Sequence, residues 1–375
     1  MMKITRIETV PIRVPIKPEL AIRSGRGGSH LVSPFLLVKV HTDAGLIGIG
    51  EVSCTPRWSG EDQVSAAHFI STYFAPALIG EDPTAVDAAT TKFASTVAAN
   101  PFTKSGVEMA LWDLRGKAEG QPVYKLLGGK VREFVPTKWS VSGIAPDKAA
   151  GIARFAVEQG FAKMKVKVGI DPESDLARVR AVRDAIGPHV KLGVDANGGW
   201  PSAAIAIDTA KRLRDAANIY FVEQPVPPGE NDALAAVRAA VGLPLIADES
   251  VYTVQDARML ARDRAADVFS IYVGKAGGIS PARAIAEFAQ SAGLTCTVGS
   301  NLEMGVGSAA MTHLAIATTG IDAETYPCDI IGPLYYEDDI VRNAPPIIPG
   351  SAGVNDLPGL GVELDEEKVE RYRVR

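Results

Sequence analysis

From Val135 onward the chain repeats one pattern, a short apolar run followed by a helix-like stretch rich in Ala, Arg and Glu. The runs begin near Val135, Lys163, Lys191, Ile219, Leu243, Val268, Thr295 and Tyr326. Regular alternation of this kind folds as a parallel sheet with helices on its outside. About eight such units in about 200 residues is the size of a closed (β/α)8-type barrel. An open doubly wound sheet would use the same alternation, but no GxGxxG follows an early strand here.

The part before Val135 reads differently. ITRIETVPIRV and FLLVKVHTD alternate as strands, and DAGLIGIGEV supplies a turn and a third strand. A Gly-rich loop, RSGRGGSH (Arg23 to His30), lies between the first two. Residues 61 to 128 are helical in pattern, clearest in GVEMALWDLRGKAEG and stopped by LLGG. This is an α+β unit preceding the barrel.

Three of the barrel runs end on an acid: Asp195 in KLGVDAN, Glu223 in IYFVEQP and Asp248 in PLIADES. The run before them, AKMKVKVG, carries Lys163, Lys165 and Lys167. Strand side chains alternate faces. The three lysines therefore share one face, opposite Ala162, Met164, Val166 and Val168. Asp195 opposes Leu192 and Val194, Glu223 opposes Tyr220 and Val222, and Asp248 opposes Leu245 and Ala247. The acids and lysines then converge at the C-terminal strand ends, where barrels of this type place their chemistry. A lone Asp at a strand end is usually a cap or a solvated loop residue, so the order and shared parity of the set carry the reading. Lys163 lies deeper, toward the strand start, and is expected to be structural.

Three carboxylates without histidine or cysteine make a hard oxygen site. Such a set suits Mg²⁺, or Mn²⁺, better than zinc or copper. A bound dication would stabilise charge developing beside a substrate carboxylate. A base for that chemistry must shed its proton near neutral pH, whereas a free lysine titrates at about 10.4. The K-V-K spacing sets two ammonium groups on one face, and their repulsion is expected to lower the pKa.

Bulk properties narrow the partners. The net charge is −5 and Lys and Arg form no runs, so no nucleic-acid partner is expected. No apolar stretch spans a bilayer, so no membrane partner is expected either. The opening MMKITRIETVPIRVPI lacks the apolar core of a signal peptide. Cys54, Cys296 and Cys328 have no metal-type spacing and read as free thiols in a cytoplasmic protein. The carboxylate and lysine set at the strand ends points instead to a small-molecule carboxylate substrate as the expected partner.

With these motifs in view, the sequence resembles the enolase superfamily, in its muconate-lactonizing subgroup. The resemblance covers nearly the whole chain. It runs through VEMALWDLRGKAEGQPVYKLLGG, KVKVG, VDANGGW, VEQP, ADES, KAGGIS and GSNLEMGVG. It implies a (β/α)7β modified TIM barrel with an N-terminal α+β capping domain. The expected divisions are 1–128 for capping, 129–328 for the barrel, and 329–375 completing the cap. By the same resemblance Asp195, Glu223 and Asp248 bind Mg²⁺, Lys167 is the base, and Lys165 assists it and helps hold the enolate. Assembly into a homo-oligomer is expected, as barrels of this family commonly pair through symmetric interfaces.

One departure bears on the reaction. The subgroup usually places a second catalytic lysine on strand six, three residues before the lysine of K-x-G-G. Here Lys275 opens KAGG, so that position is Tyr272 in VFSIYVGK. Val268, Ser270 and Tyr272 should point inward. The mandelate-racemase-type histidine on strand seven is also absent, since that strand runs into Val298, Gly299 and Ser300. A phenol is poor at two-way proton exchange but competent as a general acid. A lysine on one face and a phenol on the other suit anti elimination of a β-hydroxyl. The expected reaction is dehydration of cis-3-hydroxy-L-proline to Δ1-pyrroline-2-carboxylate. The alternative is an amino-acid or proline-betaine racemase or epimerase, or a cycloisomerase, of the same superfamily. Dipeptide epimerases of the subgroup hold an ammonium with Asp-x-Asp after strand eight. CDIIG keeps Asp329 but has Ile331 at the second place. Asp329 is expected to meet a substrate ammonium, and Glu303 to join a supporting hydrogen-bond network. Asn197 should orient metal or lysine. Arg23, Ser24, Arg26 and Trp58 sit in capping loops, where Arg26 and Trp58 are expected against substrate.

Overall fold

The computed structural model describes residues 2–24 and 29–374. Its first part is a three-stranded antiparallel sheet of β1 (Ile4–Pro15), β2 (Val32–Thr42) and β3 (Ile47–Ser53), with β2 in the centre. The long helix α1 (Pro101–Glu119) covers it. Its contact with β3 depends on small residues in GLIGIGEV. A Cβ on Gly50 would lie 1.8 Å from the Gly106 carbonyl oxygen, and one on Gly48 would lie 2.1 Å from that of Ala110. Backbone therefore rests directly on backbone. Buried Glu61 satisfies the open start of α1, accepting from the Phe102 and Thr103 amides at 2.9 and 2.8 Å.

The barrel follows as seven parallel strands in sequence order. They are β4 (Trp139–Val141), β5 (Lys163–Lys167), β6 (Lys191–Asp195), β7 (Val222–Glu223), β8 (Leu245–Ala247), β9 (Val268–Ile271) and β10 (Thr295–Val298). Each is followed by a helix: α2 (Pro146–Glu158), α3 (Pro172–Ile186), α4 (Ala203–Ala217), α5 (Asn231–Val241), α6 (Val254–Arg262), α7 (Ile279–Ser291) and α8 (Gly305–Ala317). The short segment through Cys328 closes the ring. Asp329 N donates to Val298 O on β10, and Lys138 N donates to Cys328 O beside β4. This is an α/β protein with a parallel barrel sheet and a separate N-terminal unit.

Two runs differ from the sequence reading. Val135–Pro136 pairs with Ser351–Ala352 in a small outer sheet, so the first barrel strand starts at Trp139. The run at Tyr326 forms a single bridge, Thr137 to Cys328, in place of a full strand. Both residues sit where the chain enters or leaves the barrel, and there the apolar pattern serves the C-terminal segment as well.

Strand parity is as expected. Phe221, Ile246 and Val268 form their own cluster in the lumen, apart from the main core. A Cβ on Gly193 would lie 2.2 Å from the Phe221 ring, so the lumen position below Asp195 has no room for a side chain. Lys163 lies low, donating to Glu324 O at 2.7 Å. Cys54, Cys296 and Cys328 are free and buried. Among the described residues no helix is long and apolar enough to cross a membrane.

Candidate active site

The C-terminal strand ends open into a cavity of about 360 Å³. Lys165, Lys167, Asn197, Tyr272 and Asp329 face it from the barrel, while Ser24 and Trp58 face it from the capping loops. Arg26 lies outside the described residues. Arg23 is tied in through its backbone, its N donating to Ser142 Oγ and its O accepting from Gly143 N, both at 2.8 Å.

Lys165 is buried and heavily paired. Its ammonium stands 2.9 Å from Glu223 Oε1, 3.1 Å from Asp195 Oδ2 and 2.8 Å from Asp329 Oδ2. Burial alone would favour its neutral form, but Asp329, Glu223 and Asp195 outweigh it and raise its pKa well above the usual lysine range. The expected lowering by lysine–lysine repulsion is thus reversed for Lys165, because more carboxylates than ammoniums surround it. Lys167 makes one ion pair among the described residues, 2.6 Å to Asp195 Oδ2, and its side chain, 13% exposed, borders the cavity. Asp195 resists protonation despite burial, held below the ordinary carboxylate range by Lys167 and Lys165.

Asp248 has partners of its own, whereas Glu223 shares Lys165 with Asp195 and Asp329. Asp248 Oδ1 meets Lys275 Nζ at 2.5 Å, and its Oδ2 accepts from the Tyr272 hydroxyl at 2.7 Å. Glu223 is pushed up to about 8, first by burial and then by Asp195. Among the described residues no three carboxylate, imidazole or thiol groups stand together as an open metal cage. Instead the Lys165 ammonium touches both Asp195 and Glu223.

Asp329 is less available than expected. Lys138, almost fully buried, stands 3.2 Å from Oδ1 while Lys165 takes Oδ2. With both oxygens matched to internal ammoniums, Asp329 is a counter-ion inside the barrel, and it stays below its ordinary pKa despite burial. Glu303 organises its own loop, accepting from Ser300 Oγ at 2.5 Å and Asn301 N at 3.1 Å. Asn197 N donates to Asp195 Oδ1 at 2.9 Å, and its Nδ2 donates to Glu249 Oε1 at 3.0 Å. Trp58 Nε1 reaches the same Glu249 oxygen at 3.3 Å, while its ring stacks on Tyr272 at 5.3 Å and 14°.

Sequence reasoning missed four supporting residues. Lys138 and Glu249 are two, the latter raised to about 7 by burial and then by Asp248 and Asp195. Lys275 is the third. Gln224 is the fourth, its Oε1 accepting from the Asp248 amide at 2.9 Å so that one strand-end loop fixes the next. Gln224 could have been found, since it follows Glu223 directly in a buried strand end.

The known proteins agree with this architecture. Residues 6–128 match the family described as mandelate racemase/muconate lactonizing enzyme, N-terminal domain, and residues 148–368 match enolase C-terminal domain-like. N-succinyl-L-Arg/Lys racemase of Bacillus cereus is 34% identical over 375 residues, covering 100% of this chain and 98% of its own. Its crystal structure superposes with a TM-score of 0.93. L-Ala-D/L-Glu epimerase of Bacillus subtilis is 34% identical, over 96% of this chain and 97% of its own. Muconate lactonizing enzyme of Pseudomonas fluorescens, solved with muconolactone, is 30% identical over 99% of each chain, with a TM-score of 0.94. The chain belongs to the enolase superfamily, in the mandelate racemase/muconate lactonizing enzyme subgroup.

Proposed function

We propose that this enzyme removes the α-proton of a small carboxylate substrate and eliminates its β-hydroxyl, with cis-3-hydroxy-L-proline as substrate. The observation that carries the reading is Tyr272. It directly follows the sixth of the seven barrel strands, and Lys167 ends the second, so in the ring closed through Cys328 they come from opposite sides of the lumen. Both border the cavity. Burial, then Asp248, pushes the Tyr272 phenol well above its ordinary pKa, so it holds its proton at neutral pH. A phenol kept protonated carries a proton it could donate and cannot act as a base while it holds it.

Members of this superfamily generally use Mg²⁺, and the donor chemistry here suits it. Asp195, Glu223 and Asp248 would hold the ion. The surplus of buried carboxylate shows in the raised Glu223 and Glu249, and buried Asn197 Oδ1 and Glu249 Oε2 lack hydrogen-bond partners among the described residues. When bound, the ion would stabilise negative charge on the substrate carboxylate. Lys165, kept charged by its carboxylate neighbours, would orient that carboxylate. Lys167 would take the α-proton. The electron pair left at Cα would form the new C=C bond as the C–O bond breaks, and the Tyr272 proton would leave with the hydroxyl as water. The resulting enamine tautomerises to Δ1-pyrroline-2-carboxylate.

The second reading is racemisation or epimerisation, favoured by the full-length similarity to a racemase and an epimerase. Proton NMR in D2O with Mg²⁺ separates the two. cis-3-Hydroxy-L-proline should be consumed as Δ1-pyrroline-2-carboxylate appears. Deuterium entering Cα with inversion and no loss of water would establish the second reading.

A further inference from the structure

The loop after β10 contains a backbone conformation that its residue does not favour. Leu302 has φ +60°, in the left-handed region that suits glycine and crowds a branched side chain. The surroundings hold it there. Leu302 N donates to Ser300 Oγ at 2.7 Å, and Leu302 O accepts from the Tyr336 hydroxyl at 2.7 Å. Gly332 presses on the same peptide, where a Cβ would lie 2.7 Å from Leu302 C and 2.0 Å from Glu303 O. The Glu303 carboxylate fixes the start of the loop through Ser300 and Asn301. Strain held by so many partners marks a side chain that is needed where it points. Leu302 is half-buried and borders the cavity, as do Ile22 and Ile331.

We infer that Leu302 is a specificity-determining residue, its side chain set over the cavity to restrict the site to compact carboxylates. This rests on the proposed reading that the substrate reacts in this cavity. Two observations support it besides the strain. The cavity, as the described residues bound it, lies at the small end of ligand sites, which run from about 300 to 1,000 Å³. Its charged lining among the described residues is Lys165, Lys167 and Asp329 at the strand ends and Arg57 on the capping side. An extended arm that reached Leu302, Ile331 and Ile22 would meet apolar side chains, at a desolvation cost for any charge it carried there.

The test compares the Mg²⁺-loaded wild type with Leu302→Gly and Leu302→Ala. Glycine removes both strain and side chain, whereas alanine keeps the Cβ and removes only the apolar bulk. Cα deuterium exchange is measured for L-proline and cis-3-hydroxy-L-proline as compact probes, and N-succinyl-L-arginine and L-Ala-L-Glu as extended ones. Calorimetric binding is measured on the same set. The wild type should favour the compact probes. Both variants should raise the extended-to-compact ratio about tenfold or more, with the glycine variant melting no lower than the alanine variant. A ratio within about twofold of wild type in both folded variants overturns the inference. So does a wild type that prefers the extended probes, or that neither exchanges nor binds the compact ones. Exchange counts whether or not water is lost, so failure of the dehydratase reading leaves this result legible.

Discussion

The hydroxyl of Tyr272 donates to Asp248 Oδ2 at 2.7 Å, while Lys275 holds Asp248 Oδ1 at 2.5 Å. The phenol thus belongs to two systems, the acidic strand ends and the cavity wall. The Trp58 indole lies against one face of its ring, and the Lys275 ammonium stands 4.4 Å from its centre. On the proposed mechanism the phenol must exchange Asp248 for the leaving hydroxyl of the substrate.

Tyr272→Phe should separate the two halves of the reaction. Loss of a general acid costs about 10²–10⁴ in rate. Dehydration of cis-3-hydroxy-L-proline should fall by about that factor, while Cα deuterium exchange by Lys167 falls far less. Parallel loss of both, with melting unchanged, would place Tyr272 in α-proton removal and end its role as a separate donor.

The two lysines should fail in different ways. Lys167 has one carboxylate partner and borders the cavity, so Lys167→Ala should abolish exchange with little change in melting. Lys165 neutralises Asp195, Glu223 and Asp329 inside the barrel. Lys165→Met removes the ammonium that all three share, leaving Lys167 beside Asp195 and Lys138 beside Asp329 but taking from Glu223 its ion-pair partner, a loss of roughly 3–5 kcal/mol in metal-free protein. Mg²⁺ should recover part of it. Chemical unfolding with and without the ion measures the difference, and equal destabilisation in both conditions would count against a shared carboxylate site.

Metal dependence gives a third expectation. Chelation should remove turnover, and Mg²⁺ or Mn²⁺ should restore it. A ligand at about 100 times its Kd stabilises a fold by about 2.7 kcal/mol. The melting temperature of the wild type should therefore rise with Mg²⁺, and that of Asp195→Asn should not. Full activity after exhaustive chelation would remove the metal from the mechanism.

The alternation of strands and helices and the parity of Lys165, Asp195, Glu223 and Asp248 were legible because both are local. A strand fixes which face each side chain takes before any tertiary contact forms. Lys138 and Asp329 were not legible as a pair. They come from opposite ends of the barrel sequence, and only ring closure sets them 3.2 Å apart. The same holds for Trp58 and Glu249, joined across the capping loop and strand five. The start of the first strand was misplaced at Val135 because a β-rich run does not say which sheet it joins. That run is shared between the barrel entrance and the C-terminal segment.

The junction between cap and barrel can be tested at Gly278. Glu108, on α1, accepts from the Ile279 and Ser280 amides at 2.8 and 2.9 Å and so caps α7. Gly278 has φ +141°, and a Cβ there would lie 2.4 Å from Glu108 Cδ. Gly278→Ala combines backbone strain with displacement of a buried carboxylate. It should cost roughly 2–4 kcal/mol, read as a lowered denaturation midpoint. A midpoint within error of wild type would mean that this contact does not hold the two parts together.

A buried histidine far from the chemistry sets the last expectation. His313, on α8, accepts from Tyr124 N through Nδ1 and donates to Leu360 O through Nε2, both at 3.1 Å. It therefore joins the helical region before the barrel to the C-terminal segment. The first contact requires the neutral ring, since a protonated Nδ1 cannot accept. Burial lowers its pKa to about 4 from an ordinary 6.5. Because the unfolded chain takes up the proton first, stability is full above about pH 6.5 and falls as the pH drops toward 4. The loss for this one group is about 3 kcal/mol. His313→Gln can keep one of the two hydrogen bonds but cannot titrate. It should be less stable than wild type at pH 7.5 and should lose less on acidification between pH 6.5 and 4.5. Identical slopes for the two proteins would show that His313 does not drive the acid sensitivity.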